Sequence, residues 1–377
     1  MKQNPLKLFI LCCIFLSIFP HSSSAAETTP KLYSDKAISI IADTGEVVYS
    51  KKGTAQDYPA STTKIMTGLL LVEKLKPTDT ITMTNRSLKE ERNNNQIIFK
   101  AGEKINRDEA LKILMINSNN ELAYAIGERI SGNMVNFSKL MNNRAKELGA
   151  KNTNFVTPNG LPNSNHKTTA YDLAMITRGA LKQPVLIKSM GMKSAYVNTS
   201  RQKHILVKKT SLIYDKANFI AAKTGYTKAA GNTLVEISEK NGIKIINVVL
   251  RSKKDKYVND IKLLDSYAYS KIKNVKIIDK STWNTTFSIL NQQVDGIPRQ
   301  DVMIPTALSK ESFQTKIIPT IYADDVLLKN GLFPSQKVGQ LEVFYQNNPL
   351  KSIDLLCTSQ YVFTNPNSDS STVTALK

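Results

Sequence analysis

The chain is poor in the residues that build metal centres and covalent staples: 377 residues hold three histidines, three cysteines and one tryptophan. Cys12 and Cys13 are neighbours in an early apolar run, so Cys357 is the one thiol beyond it. A lone thiol closes no internal disulfide, and stability has to come from packed cores. Past residue 26 no apolar stretch approaches the roughly 20 residues that span a bilayer. No His-Glu-x-x-His occurs, and beyond His21 only His166 and His204 remain. A zinc peptidase built on Ser164, His166 and Asp172 is therefore disfavoured, and no metal or cofactor is expected. Negative charge is also short, 31 acidic against 51 basic residues, for a net +20.

The first 26 residues read as a segment apart. Lys2 and Lys7 precede the apolar run Leu8 to Phe19, and Ser22 to Ala26 supply small residues suited to cleavage. The run is short for a membrane span, so a cleaved secretory signal and an exported protein are expected, in the periplasm or at the outer face of the cytoplasmic membrane. Taking Lys2 and Lys7 from +20 leaves +18. Such a surface attracts anionic partners outside the cytoplasm, wall polymer or lipid headgroups, in a peripheral contact. It carries no nucleic-acid recognition motif.

Read in order, Ala37–Ala42 and Glu46–Ser50 flank Asp43-Thr44-Gly45 as a β-hairpin. A helix is expected from Ser61, with Ile65, Met66, Leu69 and Val72 on one face, ending near Lys74 to Pro77. Asn106 with Glu109 three residues on is a capping-box pattern for a helix over 107–117. Further helices are expected over 121–130, 134–148 and 170–180, so Ser118 and Asn120 fall on a tight turn. Ile220–Gly225 reads as the end of a strand. Asn232–Ser238 and Ile243–Leu250 around Asn241-Gly242 give the strongest hairpin signal. A helix over about 258–269 closes this part. From Asn274 the helical period fades into short runs, Thr315–Ile318, Val326–Leu328, Leu341–Tyr345 and Ile353–Leu356, between turn signals. The organisation expected is a signal over 1–26, an α+β body over 27–273, a small all-β domain over 274–364 and a polar, disordered tail over 365–377.

Three short patterns bear on chemistry. Ser61 and Lys64 are three apart, so their side chains leave one helical face. A serine hydroxyl becomes a nucleophile when a neighbour takes its proton, and a lysine does so once burial and nearby charge drive it to the neutral amine. By itself this spacing is more often an N-cap serine beside a solvated lysine. Ser118-x-Asn120 is by itself an ordinary turn. Lys223-Thr224-Gly225 is by itself a strand-to-turn junction whose glycine permits close backbone approach.

Together and in this order, the three patterns resemble the penicillin-recognising serine enzymes. The stretch Tyr58-Pro-Ala-Ser-Thr-Thr-Lys-Ile-Met-Thr67 is similar to the nucleophile segment of the low-molecular-mass penicillin-binding proteins that act as D-alanyl-D-alanine carboxypeptidases. Asn117-Ser-Asn-Asn120, Asn159-Gly-Leu161, His166 with Ala170-Tyr-Asp-Leu-Ala174, and Lys223-Thr-Gly-Tyr-Thr227 resemble that family too, over about residues 30 to 365. The resemblance implies a β-lactamase/transpeptidase-like α+β catalytic domain with a β-rich C-terminal domain. It implies Ser61 as nucleophile, Lys64 as base and Ser118 as proton relay. Lys223 would lower the local pKa values, Asn120 orient the peptide and Thr224 bind its terminal carboxylate. Backbone N–H groups at Ser61 and Tyr226 would hold the oxyanion, with Gly225 and Tyr226 among the substrate-binding residues. The implied partners are peptidoglycan stem peptides, with β-lactams as covalent inhibitors. Many relatives have arginine where this chain has Lys256, which keeps the charge but not the bidentate fork. Many also end in an amphipathic helix, for which residues 365–377 lack the apolar period. The rival readings are a class A-like β-lactamase, which needs a Glu-x-x-Leu-Asn that is absent between Ser118 and Lys223, and a wall-binding protein of weak catalysis.

Overall fold

The structure, a computed structural model, describes residues 29–92, 96–208 and 212–364. The expected signal and tail lie outside the described residues.

In chain order the elements are β1 (Lys36–Ile41), β2 (Val47–Lys51), α1 (Lys64–Lys74), β3 (Thr80–Thr82), β4 (Lys104–Asn106), α2 (Arg107–Ile116), α3 (Asn120–Ser131) and α4 (Met134–Glu147). There follow α5 (Ala170–Ala180), α6 (Pro184–Gly191), β5 (Ser194–Asn198), β6 (Lys203–Val207), β7 (Phe219–Thr227), β8 (Gly231–Lys240), β9 (Ile243–Ser252) and α7 (Tyr257–Lys271). The remainder is β10 (Lys273–Ile278), β11 (Thr285–Ile289), β12 (Gln292–Pro298), β13 (Val302–Thr306), β14 (Gln314–Pro319), α8 (Asp324–Asn330), β15 (Lys337–Tyr345) and β16 (Asn348–Cys357).

The first sheet has the order β2-β1-β9-β8-β7, with all pairings antiparallel. Side chains alternate between its faces. Ile38, Ile40, Val235, Ile237, Ile246 and Val248 meet the helical layer built around α1. Ala37, Ala222, Leu234 and Val249 meet Val258, Ile261 and Leu264 of α7 on the other face. The β8–β9 turn puts Asn241 and Gly242 both at positive φ, the geometry that Asn-Gly favours. In α2 the Asn106 side chain accepts from the Glu109 N–H at 2.8 Å, but the Glu109 carboxylate goes to Lys112 and to the Asn198 N–H. Half of the expected capping box forms.

A second sheet, β11-β12-β16-β15-β14, and the ribbon β10-β13 surround a separate apolar cluster centred on Val294, Val338, Leu341 and Leu355. Val326–Leu328, expected as a strand, is instead part of α8. Three apolar residues fit a helix or a strand equally, and Asn330-Gly331, with Gly331 at φ +69, ends a helix here. The signal at Asn348-Pro349 opens β16, while the turn itself uses Gln346 and Asn347 at positive φ. The two sheet bodies meet at Glu46, whose buried carboxylate accepts from Thr306 Oγ1 (2.5 Å) and the Ala307 N–H (2.9 Å).

Candidate active site

Ser61 sits on a 3₁₀ turn, Ala60–Thr63, and not in the first turn of the expected α-helix. Three residues per turn bring positions i and i+3 into line, so the tighter turn still aligns Ser61 with Lys64, the first residue of α1. The Pro59 carbonyl accepts from Thr62 Oγ1 (2.7 Å) and from Thr233 Oγ1 of β8 (3.0 Å). Gly160, at φ +84, packs so closely that a Cβ there would stand 1.9 Å from the Ala60 carbonyl oxygen. Ala60 (φ +50) and Ser118 (φ +59) both hold left-handed conformations. These cost non-glycine residues about 1 kcal/mol or more and persist where surroundings enforce them.

The segment before the serine is tied down by charge. Buried Asp57 accepts from Lys36 Nζ (2.6 Å) and from Arg251 Nε and Nη2 (2.8 and 2.5 Å). Burial pushes its carboxyl pKa up, but the hydrogen bonds from Arg251 and Lys36 outweigh this and hold it below the usual value. His166 is buried under the serine turn. Its Nδ1 accepts from the Val156 N–H (2.9 Å), so Nε2 carries the proton towards Thr63 Oγ1 (2.9 Å). Desolvation lowers its pKa to about 3 and keeps it neutral. A ring that bonds both the 156–157 backbone and Thr63 joins two segments that sequence spacing leaves far apart.

Lys64 is fully buried. Its Nζ meets Ser61 Oγ at 3.0 Å, Asn120 Oδ1 at 2.7 Å and the Asn159 carbonyl oxygen at 2.7 Å. The last two only accept. A neutral amine satisfies both with its two N–H bonds and turns its lone pair to the Ser61 hydroxyl. Desolvation, with the Lys223 charge second, pushes its pKa well below that of an ordinary lysine; Glu90 opposes the shift.

Lys223-Thr224-Gly225 lies inside edge strand β7, which runs on to Thr227, and not at a strand end. Lys223 Nζ donates to Ser118 Oγ and to the Thr224 carbonyl, each at 2.9 Å, and desolvation lowers its pKa to about 7. A Cβ on Gly225 would stand 2.7 Å from the Ser61 backbone nitrogen, so only glycine lets the strand lie against the serine turn. Asn120 begins α3, with Asn119 as its N-cap. Ser61, Ser118, Asn120, Lys223, Thr224 and Gly225 line one cavity of about 720 Å³, with the exposed Tyr226 ring at its rim. The structure thus brings all eight expected residues together, Lys64 beneath the floor. This arrangement can deprotonate a serine, acylate it and return a proton through a second hydroxyl.

Lys256 is not among the lining residues; its Nζ lies 5.2 Å from the Tyr33 ring centroid. Glu90, Glu91, Asp57 and Thr233 were not singled out by the motifs. They act through backbone segments and partners that no local spacing announces. Among the described residues no group of three or more His, Cys, Asp or Glu is placed to hold a metal ion.

The family model described as D-alanyl-D-alanine carboxypeptidase matches residues 23–254, which is 232 of the 377. The chain is 35% identical over 242 residues to the D-alanyl-D-alanine carboxypeptidase DacF of Bacillus subtilis, a match covering 62% of this chain and 61% of that protein. It is 30% identical over 258 residues to DacC of Escherichia coli, covering 64% and 63%. The chain thus spans less than two thirds of the length of either relative. Among solved structures, a D-alanyl-D-alanine carboxypeptidase from Mycobacterium tuberculosis shares the fold at a TM-score of 0.61 and 24% identity, over 66% of this chain and 95% of that one. PBP3 of Streptococcus pneumoniae does so at 0.70 and 19%, over 88% of this chain and 100% of that one, so the likeness in fold reaches into the β-rich C-terminal part.

Proposed function

The chain belongs to the D-alanyl-D-alanine carboxypeptidase family, and on that premise we propose that it is a serine-type carboxypeptidase that removes the terminal D-alanine from peptidoglycan stem peptides. One observation carries the reading: a buried Lys64 amine whose two carbonyl partners leave its lone pair on Ser61 Oγ.

Ser61 Oγ attacks the carbonyl carbon of the penultimate D-alanine while Lys64 Nζ takes the hydroxyl proton. The oxyanion is held by the Ser61 and Tyr226 N–H groups, where Gly225 lets strand and turn approach. Asn120 orients the peptide amide, and Thr224 binds the terminal carboxylate. The C–N bond then breaks as the proton held by Lys64 is relayed through Ser118, hydrogen-bonded to Lys223, to the departing amine, which leaves Lys64 neutral and Ser118 a hydroxyl. Water attacks the resulting ester, its proton passes back through Lys64, and Ser61 is restored. A β-lactam enters by the same acylation, since its strained amide resembles the scissile bond.

The reading includes export, with any membrane or wall-polymer contact peripheral and electrostatic, and a division into a peptidase body over 27–273 and a β-rich domain over 274–364. Incubating the protein with a diacylated L-Lys-D-Ala-D-Ala peptide and measuring free D-alanine tests it. Steady release, with stoichiometric covalent binding of penicillin, is expected. Rapid turnover of penicillin with no D-alanine release would favour the β-lactamase.

A further inference from the structure

Residues 90 and 91 grip both groups that take the N–H bonds of Lys64. The Glu90 carboxylate, at the end of the short turn Ser87–Lys89, accepts from Asn159 Nδ2 at 2.6 Å. The carbonyl of that same Asn159, itself buried, accepts from Lys64 at 2.7 Å. The next residue, Glu91, offers its backbone carbonyl to Asn120 Nδ2 at 2.8 Å, and Asn120 Oδ1 accepts from Lys64 at 2.7 Å. Two acceptors that aim a catalytic amine are thus held by adjacent residues of one loop, outside the three motifs.

We propose that Glu90 is a positioning residue of the acylation step: it fixes Asn159 and supplies the negative charge that balances the proton passing from Ser61 Oγ to Lys64 Nζ. This rests on the carboxypeptidase reading. When that proton moves, the amine becomes a buried ammonium under the influence of the Lys223 charge, with no ion pair among the described residues. Such a charge is costly to form without an anion nearby. The other charged groups around the loop do not supply one. Lys208, just after β6, donates to the Met190 carbonyl, and burial with the Lys223 charge pushes its pKa well below that of an ordinary lysine, so it supplies no anion. Glu121 of α3 is paired with Arg92 at 2.9 Å. Tyr124 of α3 feels Glu128, Glu90 and Arg86, and Glu128 accepts from Thr84 Oγ1. His166 below the turn is neutral. Among the described residues Glu90 is the one whose carboxylate is bonded to a partner of the amine, Asn159, whereas Glu91 reaches Asn120 through its backbone carbonyl. Its charge opposes the lowering of the Lys64 pKa, and the Lys64 charge in turn works against the rise that burial gives the Glu90 carboxyl.

Glu90→Gln separates charge from geometry, because the glutamine carbonyl still accepts from Asn159. The test is the pH dependence of the second-order rate of acylation by a fluorescent penicillin, in wild type, Glu90→Gln and Glu90→Asp. An anion raises the pKa of a facing amine, so removing it must move the acid limb, which reports loss of the Lys64 proton, to lower pH. We expect a displacement of about one unit and a fall of about tenfold in the plateau for glutamine. Aspartate should keep the limb at its wild-type position. A glutamine variant whose limb stays in place overturns the proposal, whether its plateau or its melting temperature falls or not. A wild-type protein that penicillin does not acylate overturns the carboxypeptidase reading itself, and is recognised before any variant is compared.

Discussion

From residue 29 to 272 the fold encloses Glu46, Asp57, Lys64, Glu121, Lys223 and Glu236, each at 2% exposure or less, whereas from Lys273 to Thr364 the buried polar side chains among the described residues reduce to Thr306. Enclosing an ion costs several kcal/mol unless it is paired. Several of the enclosed carboxylates are paired, Asp57 with Lys36 and Arg251, Glu121 with Arg92, Glu236 and Asp265 with Lys216, while Glu46 is held by the Thr306 hydroxyl and the Ala307 N–H. Lys64 and Lys223 have no ion pair among the described residues; their partners are hydroxyl, amide and carbonyl oxygens. The contrast sets carboxylates tied into the fold by cations against two buried lysines whose partners are all neutral. It also separates a body that maintains a site from one that maintains a shape.

The sharpest break of this contrast is Lys64→Arg, which keeps a cation in the first body but stays protonated. Acylation of Ser61 should fall by about 10²–10⁴, the range for losing a general base. Stopped-flow labelling with a fluorescent penicillin measures it, and a rate within a few-fold of wild type would mean that another group takes the proton. The mildest effect on activity is expected from the second body. Leu355→Ala empties part of its apolar cluster and should cost about 2–5 kcal/mol of that body's stability. The acylation rate at 25 °C should not change. Differential scanning calorimetry with the same labelling assay reads both, and a parallel loss of acylation would show that the bodies share one cooperative site.

Much of this was legible in the chain because the chemistry uses short offsets. Ser61 to Lys64 and Ser118 to Asn120 are set by one turn of backbone each, and Asn241-Gly242 forces a hairpin through its two positive φ values. What escaped depends on tertiary context. Leu290 and Asn291 both hold positive φ between β11 and β12, a turn that leucine does not advertise. Val326–Leu328 carries no period long enough to choose helix over strand. His166 is buried because residues 156–157 and Thr63 fold around it, and Lys256 turns to Tyr33, where a lysine stem finds a ring. Glu90 reaches Lys64 through Asn159, 69 residues further on.

The central claim is that Ser61 carries the acyl group. Mass spectrometry of peptides digested from the protein after brief exposure to benzylpenicillin tests it directly, beside Ser61→Ala. The account predicts one added penicilloyl mass on the peptide that contains Ser61. It predicts none in the alanine variant, which should melt within a degree or two of wild type, since the hydroxyl makes one hydrogen bond of about 1 kcal/mol. A stable adduct in Ser61→Ala, or one on the peptide that contains Ser118, would contradict it.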